Sequence, residues 1–294
     1  MPYLRATKRM TNGKMTIREI ITDTTKLLKN AGIESANLDC RLLLCKFLNK
    51  DRLYLAVNSE KEVEINEEFD KLVQRRANHE PMQYILEHAE FMGLDFYVNK
   101  SVLIPRPDTE ILVEKAIEFI GENKSVFLDI GTGSGCISVS ILANCKNSSA
   151  YAADISENAL KIAAKNAESN AVSDRLTFIN TDIMHDFPKT EVDCIVSNPP
   201  YIESSEIPYL MKDVRDFEPK TALDGGADGL DFYRRIADKG YGILKEGGMI
   251  AFETGYRQAQ SVMSILEKNG YKNSSVTKDL SGNDRVVTAY KHIK

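Results

Sequence analysis

The sequence predicts an α/β protein with a doubly wound, mostly parallel seven-stranded sheet and a small helical domain in front of it. Between residues 125 and 254, short apolar runs typical of buried strands alternate with helical runs. The segments 271–278 and 284–291 predict an antiparallel hairpin at the edge of the sheet. Residues 16–78 show helical periodicity, with no strand pattern of comparable strength.

The helical domain is predicted over residues 15–80. Thr16 and Glu19 have the spacing of a capping box, and apolar residues with helical spacing follow until Gly32. Ser35 is the expected cap of a second helix. Two further helices are predicted at 51–57 and 66–78.

Residues 1–14 are basic and lack clear periodicity. They are compatible with a flexible tail or a short transit segment. Translation could also begin at Met15, because the first confident structure begins at Thr16. The pattern leaves these three readings open.

The segment 81–104 is predicted to be a β-hairpin that joins the two domains, turning at Gly93, and the α/β domain is assigned to 105–294. Ile104–Glu110 contains two prolines that hold the backbone extended. Asp108 or Thr109 is the expected cap of the helix that follows. This stretch is explained by helix initiation alone, or it is a rigid wall of a ligand pocket to which Arg106 contributes polar contacts.

Composition excludes several classes of protein. The net charge of −5 and the pI of about 5.6 disfavour a broad basic surface for duplex nucleic acid. The five cysteines show no C-x-x-C spacing, so we expect free thiols and no metal site. No run approaches the ~18 apolar residues of a membrane span. We therefore expect a cytoplasmic protein without a membrane anchor.

A glycine-rich turn follows the first predicted strand of the sheet. The strand ends at Asp129, and the next residues are Gly131, Thr132, Gly133 and Gly135. Glycines allow a tight turn and a close approach of backbone to ligand. The G-x-G-x-G spacing and the preceding acid disfavour both a dinucleotide site and a P-loop. A carboxylate at this point suits a ligand that carries positive charge.

Acidic residues also end the next two predicted strands. Asp154 lies 19 residues beyond Gly135, close to the ~20 expected of an acid that binds ribose hydroxyls. Asp182 follows the third strand and could accept a hydrogen bond from an adenine amino group. These positions favour a nucleoside-containing cofactor.

The stretch Asn198-Pro199-Pro200-Tyr201 ends the fourth predicted strand, because proline cannot continue a strand ladder. The Asn198 side-chain oxygen and the Pro199 carbonyl could accept the two protons of a planar –NH₂ group, with Tyr201 stacked on its flat face. The alternative is a rigid turn with a capping asparagine. The upstream glycine turn favours the binding site. The following segment, 202–228, is longer than ordinary connections and is expected to be a binding loop.

The glycine turn, Asp154 and Asp182 resemble the cofactor site of class I S-adenosylmethionine-dependent methyltransferases, and Asn198–Tyr201 resembles the motif of enzymes that methylate a planar amino nitrogen. Three further stretches are similar to the release factor glutamine methyltransferases (the HemK family), over about residues 15–292. These stretches are Phe91–Phe96, Val102–Glu110 and Lys278–Val287.

The resemblance implies transfer of a methyl group from S-adenosyl-L-methionine to the N5 amide nitrogen of the glutamine in the Gly-Gly-Gln loop of class I peptide chain release factors, with S-adenosyl-L-homocysteine as product. The helical domain is either a lid or scaffold or the surface that recognises the partner, and recognition is favoured because the other domain already contains the complete catalytic site. A monomer is expected. The implied catalytic and substrate-binding residues are Asn198, Pro199, Pro200 and Tyr201. The implied cofactor-binding residues are Arg106, Asp129, Gly131, Thr132, Gly133, Gly135, Asp154, Asp182 and Asn198.

Three other functions stay open at the level of sequence. A sister family methylates a glutamine of a ribosomal protein, although the Arg106–Glu110 segment disfavours it. An adenine-N6 nucleic-acid methyltransferase would use the same Asn-Pro-Pro-Tyr chemistry, but the acidic charge and the lack of a target-recognition domain disfavour nucleic acid. A non-enzymatic nucleoside-binding module is the third alternative.

Overall fold

The computed structural model describes residues 14–292, which divide into two compact units. Within the described residues, one unit comprises residues 14–87 together with Lys212–Phe217, and the other comprises His88–Met211 together with residues 218–292. Residues 1–13 of the predicted tail lie outside the described residues. Lys14 does not belong to a tail, because it pairs with Glu64 in a short antiparallel ladder.

The first unit is a helical domain with one small sheet. Strands β1 (Lys14–Thr16) and β2 (Glu62–Glu64) pair antiparallel, and neither was predicted. A single apolar core, which includes Ile20, Leu43 and Phe69, holds the helices together. The helices are Ile17–Asn30, Ala36–Leu48, Arg52–Val57, Glu67–Ala77 and Met82–Leu86.

The helix caps of this unit were predicted with mixed success. The capping box of Thr16 and Glu19 is confirmed, with each side chain bonded to the backbone of the other residue. Ser35 lies at the predicted N-cap position of the second helix, but its side chain makes no capping hydrogen bond. Its backbone (φ −78°, ψ 14°) is not in the extended conformation of a capping residue. Its hydroxyl donates to the buried carboxylate of Asp39 over 2.8 Å, and that carboxylate also binds Arg76.

The predicted hairpin between the domains is present but shorter than expected. It consists of β3 (Ala89–Phe91) and β4 (Leu94–Phe96), which pair around Met92 and Gly93. Residues 82–86, which were assigned to the linker, form a helix instead. Phe91 and Phe96 are buried in the core of the second unit.

The second unit is built on the predicted seven-stranded sheet. The strands are β5 (Val126–Ile130), β6 (Ser149–Asp154), β7 (Leu176–Asn180), β8 (Val192–Ser197), β9 (Leu244–Glu253), β10 (Lys272–Lys278) and β11 (Asp284–Tyr290). Their order in the sheet is β10-β11-β9-β8-β5-β6-β7. Strands β5 to β9 are parallel, and β11 pairs antiparallel with both β9 and β10. The helices of this unit are Glu110–Ile120, Cys136–Asn144, Glu157–Ser169, Asp231–Ile243 and Ala259–Lys268.

The sheet buries both faces, as its sequence predicts. Phe127 and Leu128 are adjacent on β5 yet belong to two different apolar clusters, and Cys194 and Ile195 on β8 do the same. Alternate residues of a strand point to opposite faces, so each cluster covers one face of the sheet. No helix within residues 14–292 has the length and apolar character needed to cross a membrane.

One local prediction in this unit was wrong. The side chains of Asp108 and Thr109 do not cap the helix Glu110–Ile120, because a 3₁₀ turn at Pro107–Thr109 leads into it. Strand β9 contains Gly247 and Gly248. A Cβ at Gly248 would come within 2.8 Å of the Asp193 carbonyl. The 202–228 segment contains short 3₁₀ turns, and its residues Lys212–Phe217 form a helix that belongs to the first unit.

Candidate active site

The candidate site lies where the strand order reverses, between β5 and β8. Chain connections from β5 run outward to β6 and β7 on one side, and those from β8 run to β9 on the other. Ile130 pairs with Ser197, and the Ser197 hydroxyl donates to the Ile130 carbonyl over 2.7 Å. Gly131 and Asn198 therefore emerge from adjacent strand ends. Ligands of open α/β sheets bind at this switch point.

A cavity of about 440 Å³ opens at this edge of the second unit. Seven of the residues predicted from the sequence line it: Gly131, Gly133, Asp154, Asp182, Asn198, Pro199 and Pro200. The remaining predicted residues, among those that the structure describes, are outside its wall: Arg106, Asp129, Thr132, Gly135 and Tyr201.

The glycines of the turn have two different structural roles. Gly131, Gly133 and Gly135 all have positive φ, at +73°, +55° and +79°. A Cβ at Gly131 would meet no atom within 4 Å, so that position faces open space in the cavity wall. A Cβ at Gly135 would come within 3.0 Å of the Ala163 Cβ. The first glycines leave room for a ligand, and the third allows close helix packing.

Asp129 lies directly behind the cavity wall and is fully buried. Its Oδ2 accepts a hydrogen bond from the Thr132 hydroxyl over 2.6 Å, and its Oδ1 has no hydrogen-bond partner among the described residues. Burial raises the pKa of this carboxyl to about 6, although the hydrogen bond from Thr132 and the nearby hydroxyl and backbone N–H of Ser138 act in the opposite direction. A buried carboxylate with an unused acceptor favours a nearby cation.

Asp154 and Asp182 present carboxylates to the cavity from the ends of neighbouring strands. Asp154 accepts backbone hydrogen bonds from Gly133 at 2.9 Å and from Ser156 at 2.8 Å, which fix its orientation. Burial raises its pKa in spite of these bonds. Asp182 accepts from the Met184 backbone over 2.9 Å. Each carboxylate keeps lone pairs that a ligand hydroxyl or amino group can use.

Tyr201 is packed into the protein instead of forming part of the cavity wall. Its side chain contacts the apolar cluster under the helix Asp231–Ile243, and its carbonyl accepts from the Gln258 side chain over 2.9 Å. Burial, followed by the negative charge of Glu253, raises the pKa of its hydroxyl to about 12. The predicted stacking of Tyr201 on a ligand stays untested.

Arg106 binds Glu218 rather than the cavity. Its guanidinium donates to the Glu218 carboxylate over 2.5 Å, and that carboxylate is almost entirely buried. Glu218 precedes Pro219, Lys220 and Ala222, which line the cavity. Through its ion pair with Glu218, Arg106 thus holds the segment that forms one wall of the cavity.

Three further candidate residues at the same edge of the sheet were not predicted to belong to the site. Thr109 accepts a hydrogen bond from the Asn198 amide over 3.3 Å. Glu253, the last residue of β9, is 2% exposed and lies beside Asn198. Arg285 binds Asp108 and Asp279 at 3.2 and 3.0 Å. A signal was available for Glu253, since it ends a buried parallel strand as Asp129 and Asp154 do.

Known proteins of similar sequence and structure agree with this architecture. Residues 19–86 match the family description "PrmC N-terminal domain", and residues 107–213 match "Methyltransferase small domain". The catalytic domain of hMettl16, solved in complex with an MAT2A 3′UTR hairpin, superimposes with a TM-score of 0.57 at 19% identity, covering 76% of this chain and 82% of that one. The second unit therefore has a methyltransferase fold.

Two curated relatives identify the family. The release factor glutamine methyltransferase of Clostridium acetobutylicum is 42% identical over 94% of this chain and 98% of its own length. The enzyme of the same name from Geobacter sulfurreducens is 40% identical over 92% of this chain and 95% of its own length. The chain belongs to the release factor glutamine methyltransferase family.

Proposed function

We propose that this protein transfers a methyl group from S-adenosyl-L-methionine to the side-chain amide nitrogen of a glutamine in peptide chain release factors. One observation carries the proposal: the glycine turn after β5 and Asn198–Pro200 after β8 line the same cavity at the switch point of the sheet. The first group suits a nucleoside cofactor and the second suits a planar amide, so the two ligands would meet in one cavity.

The residues present fit the methyl donor. S-adenosyl-L-methionine supplies an electrophilic methyl group on a positively charged sulfur. Gly131 and Gly133 leave the space that a ligand would fill, and the unused Oδ1 of Asp129 provides negative charge behind them. Asp154 would accept from the ribose hydroxyls, and Asp182 from the adenine amino group.

Asn198 and Pro199 would hold the acceptor amide. An amide nitrogen is a poor nucleophile because its lone pair is delocalised into the carbonyl, so alignment is the main task of the protein. The Asn198 side-chain oxygen and the Pro199 carbonyl would accept both protons of the substrate –NH₂ group. They would also stabilise the positive charge that develops on that nitrogen. No proton needs to leave the nitrogen before it attacks.

We assign recognition of the protein substrate to the helical unit. Every site residue named above belongs to the second unit, so the helical core is not needed to build the cavity. The Gly-Gly-Gln loop as target, a monomeric state and a cytoplasmic location all stay predictions. The free thiols of the five cysteines suit a reducing compartment.

Methyl transfer from labelled S-adenosyl-L-methionine to purified release factor tests the proposal. We expect label on the wild-type protein substrate and none on a variant whose loop reads Gly-Gly-Ala. Parallel reactions with ribosomal protein and with duplex DNA cover the alternative acceptors. Label on either of these, with an unlabelled release factor and a demonstrably bound cofactor, would contradict the proposed substrate while leaving the fold intact.

A further inference from the structure

Glu253 is the buried acid nearest to the proposed amide-binding group. Ser197 of β8 pairs with Phe252 of β9, so the residues that follow them, Asn198 and Glu253, leave the sheet next to each other. The Glu253 side chain is 2% exposed, and its Oε2 atom makes no hydrogen bond with any described residue. Buried polar atoms normally have partners, so an orphaned acceptor at this position calls for a functional explanation.

Thr109 links Glu253 to Asn198. The Asn198 Nδ2 group donates to the Thr109 hydroxyl oxygen over 3.3 Å. Burial raises the pKa of Glu253 to about 7, and the nearby side chains of Thr109 and, more weakly, Asn198 act in the opposite direction. An ionised carboxylate can only accept hydrogen bonds. The Thr109 oxygen already accepts from Asn198, so the hydroxyl proton of Thr109 is available for Glu253.

The direction of these hydrogen bonds fixes the orientation of the Asn198 amide. A carboxylate only accepts, and a hydroxyl has a single proton. Once that proton points to Glu253, Thr109 can only accept from Asn198, so the –NH₂ group of Asn198 faces Thr109. If the Asn198 amide were flipped, its oxygen would face the Thr109 oxygen and the Glu253 carboxylate, and neither has a proton to donate to it. The Asn198 oxygen is thus turned away from Thr109, and Asn198 lines the cavity.

We propose, resting on the function proposed above, that Glu253 is a positioning residue. Through Thr109 it holds the Asn198 carboxamide with the oxygen toward the cavity, where it accepts an N–H of the substrate amide. The ionised carboxylate thereby selects an –NH₂ donor over an acceptor such as a carbonyl group. Glu253 itself does not touch the substrate.

The proposal predicts a pH dependence. Below about pH 7 a protonated Glu253 can donate to Thr109, which can then donate to the Asn198 oxygen and allow the amide to flip. Methyl transfer should fall as the pH drops through this value. Burial holds the pKa of Cys136 and Tyr201 near 12 and that of Tyr233 well above its ordinary value, so these groups do not titrate in this range. The titratable and charged groups that face Glu253 are Asp108, Cys136, Tyr201, Tyr233 and Arg285.

Isosteric variants separate positioning from structure. We expect Glu253→Gln and Thr109→Val to slow single-turnover methyl transfer by roughly 10- to 100-fold, because the amide loses its fixed orientation. Affinity for the cofactor and the melting temperature should not fall. Thr109→Ser restores the hydroxyl and should recover most of the rate. Glu80→Gln, a buried glutamate bound to Arg75 in the helical unit, is the matched control.

The pH profile of methyl transfer and the NMR signal of the Asn198 amide distinguish a positioning role of Glu253 from a purely structural one, because a purely structural role would change neither. The rate of the wild type should rise through about pH 7, and Glu253→Gln should lack that step. With ¹⁵N-asparagine labelling, the Asn198 side-chain resonance, assigned by its absence in Asn198→Ala, should titrate in the same range and lose this transition in Glu253→Gln.

A wild-type rate and pH profile in Glu253→Gln, or an Asn198 resonance that does not titrate, would overturn the positioning role. The resonance is measured without any protein substrate. If release factor stayed unmethylated by the wild type, the proposed function would fail, while the titration would still decide whether Glu253 orients Asn198.

Discussion

At the scale of single residues, the site contains acids that the fold holds at a cost in stability. Asp129 is fully buried with one carboxylate oxygen unpartnered, and its pKa is raised to about 6 from an ordinary value of 3.8. Compared with the unfolded chain, the folded protein therefore binds a proton at this carboxyl more tightly. The corresponding stability is fully present below about pH 3.8 and is lost as the pH rises through about 6.

Asp129→Asn should make the protein more stable and a weaker binder of cofactor. At pH 8 we expect the free energy of unfolding to rise by about 1–3 kcal/mol, because the buried charge is gone. We expect cofactor affinity to fall at least ~10-fold, because the negative charge behind the glycine turn is lost. Urea unfolding and calorimetric titration measure the two quantities.

Asp70→Asn is the control for this variant, because Asp70 is a buried acid of the helical unit whose pKa is also raised by burial. It should change stability without changing cofactor affinity. Unchanged affinity in Asp129→Asn would show that the orphaned oxygen does not serve the cofactor.

At the scale of structural elements, the glycine turn after β5 combines two functions that substitutions can separate. Gly131→Ala and Gly135→Ala place the same methyl group at similar φ, so both should lose about 1 kcal/mol of stability from backbone strain. Gly135→Ala also brings its methyl group within 3.0 Å of the Ala163 Cβ, so this variant should lose more stability than Gly131→Ala. Gly131→Ala should instead bind the cofactor more weakly, since its methyl group enters the cavity wall. If the two variants had the same stability and the same cofactor affinity, the two glycines would not have separate roles.

The loop that follows Asn198–Tyr201 depends on the ion pair between Arg106 and Glu218. Pro219 and Lys220 line the cavity directly after Glu218, so the pair sets the position of this wall. Arg106→Met should weaken cofactor binding about three- to tenfold, a modest effect because the arginine is partly exposed. A double-mutant cycle with Glu218→Gln measures the coupling. Additive effects of the two substitutions would show that the pair does not support the site.

At the scale of the whole molecule, we propose that the helical unit recognises the protein substrate and the second unit carries out the chemistry. A photo-crosslinking amino acid placed at Leu38, Leu53 or Val57, which are exposed in the helical unit, should attach to a bound release factor. The same probes should leave cofactor affinity unchanged. If none of the three positions crosslinked while methyl transfer proceeded, the helical unit would not be the recognition surface.

The sequence predicts most of this architecture because strand, glycine turn and acid recur at successive strand ends. Gly131, Asp154, Asp182 and Asn198 meet in one cavity for that reason. Thr109 and Arg285 could not be placed, because their contacts join residues that lie far apart in the chain. Ser35 and Asp108 were assigned to helix caps although Asp39 and Arg285 bind their side chains. Local propensity does not reveal such partners.

The measurement that tests the account most directly is the single-turnover rate of methyl transfer to release factor by Asn198→Ala, alongside its cofactor affinity. Loss of the acceptor for the substrate amide should slow transfer by roughly 10²- to 10³-fold while cofactor affinity stays near that of the wild type. Asn269→Ala, at the end of the helix Ala259–Lys268, should behave as the wild type. A near-normal rate in Asn198→Ala would contradict the central claim that this asparagine binds the substrate amide that is methylated.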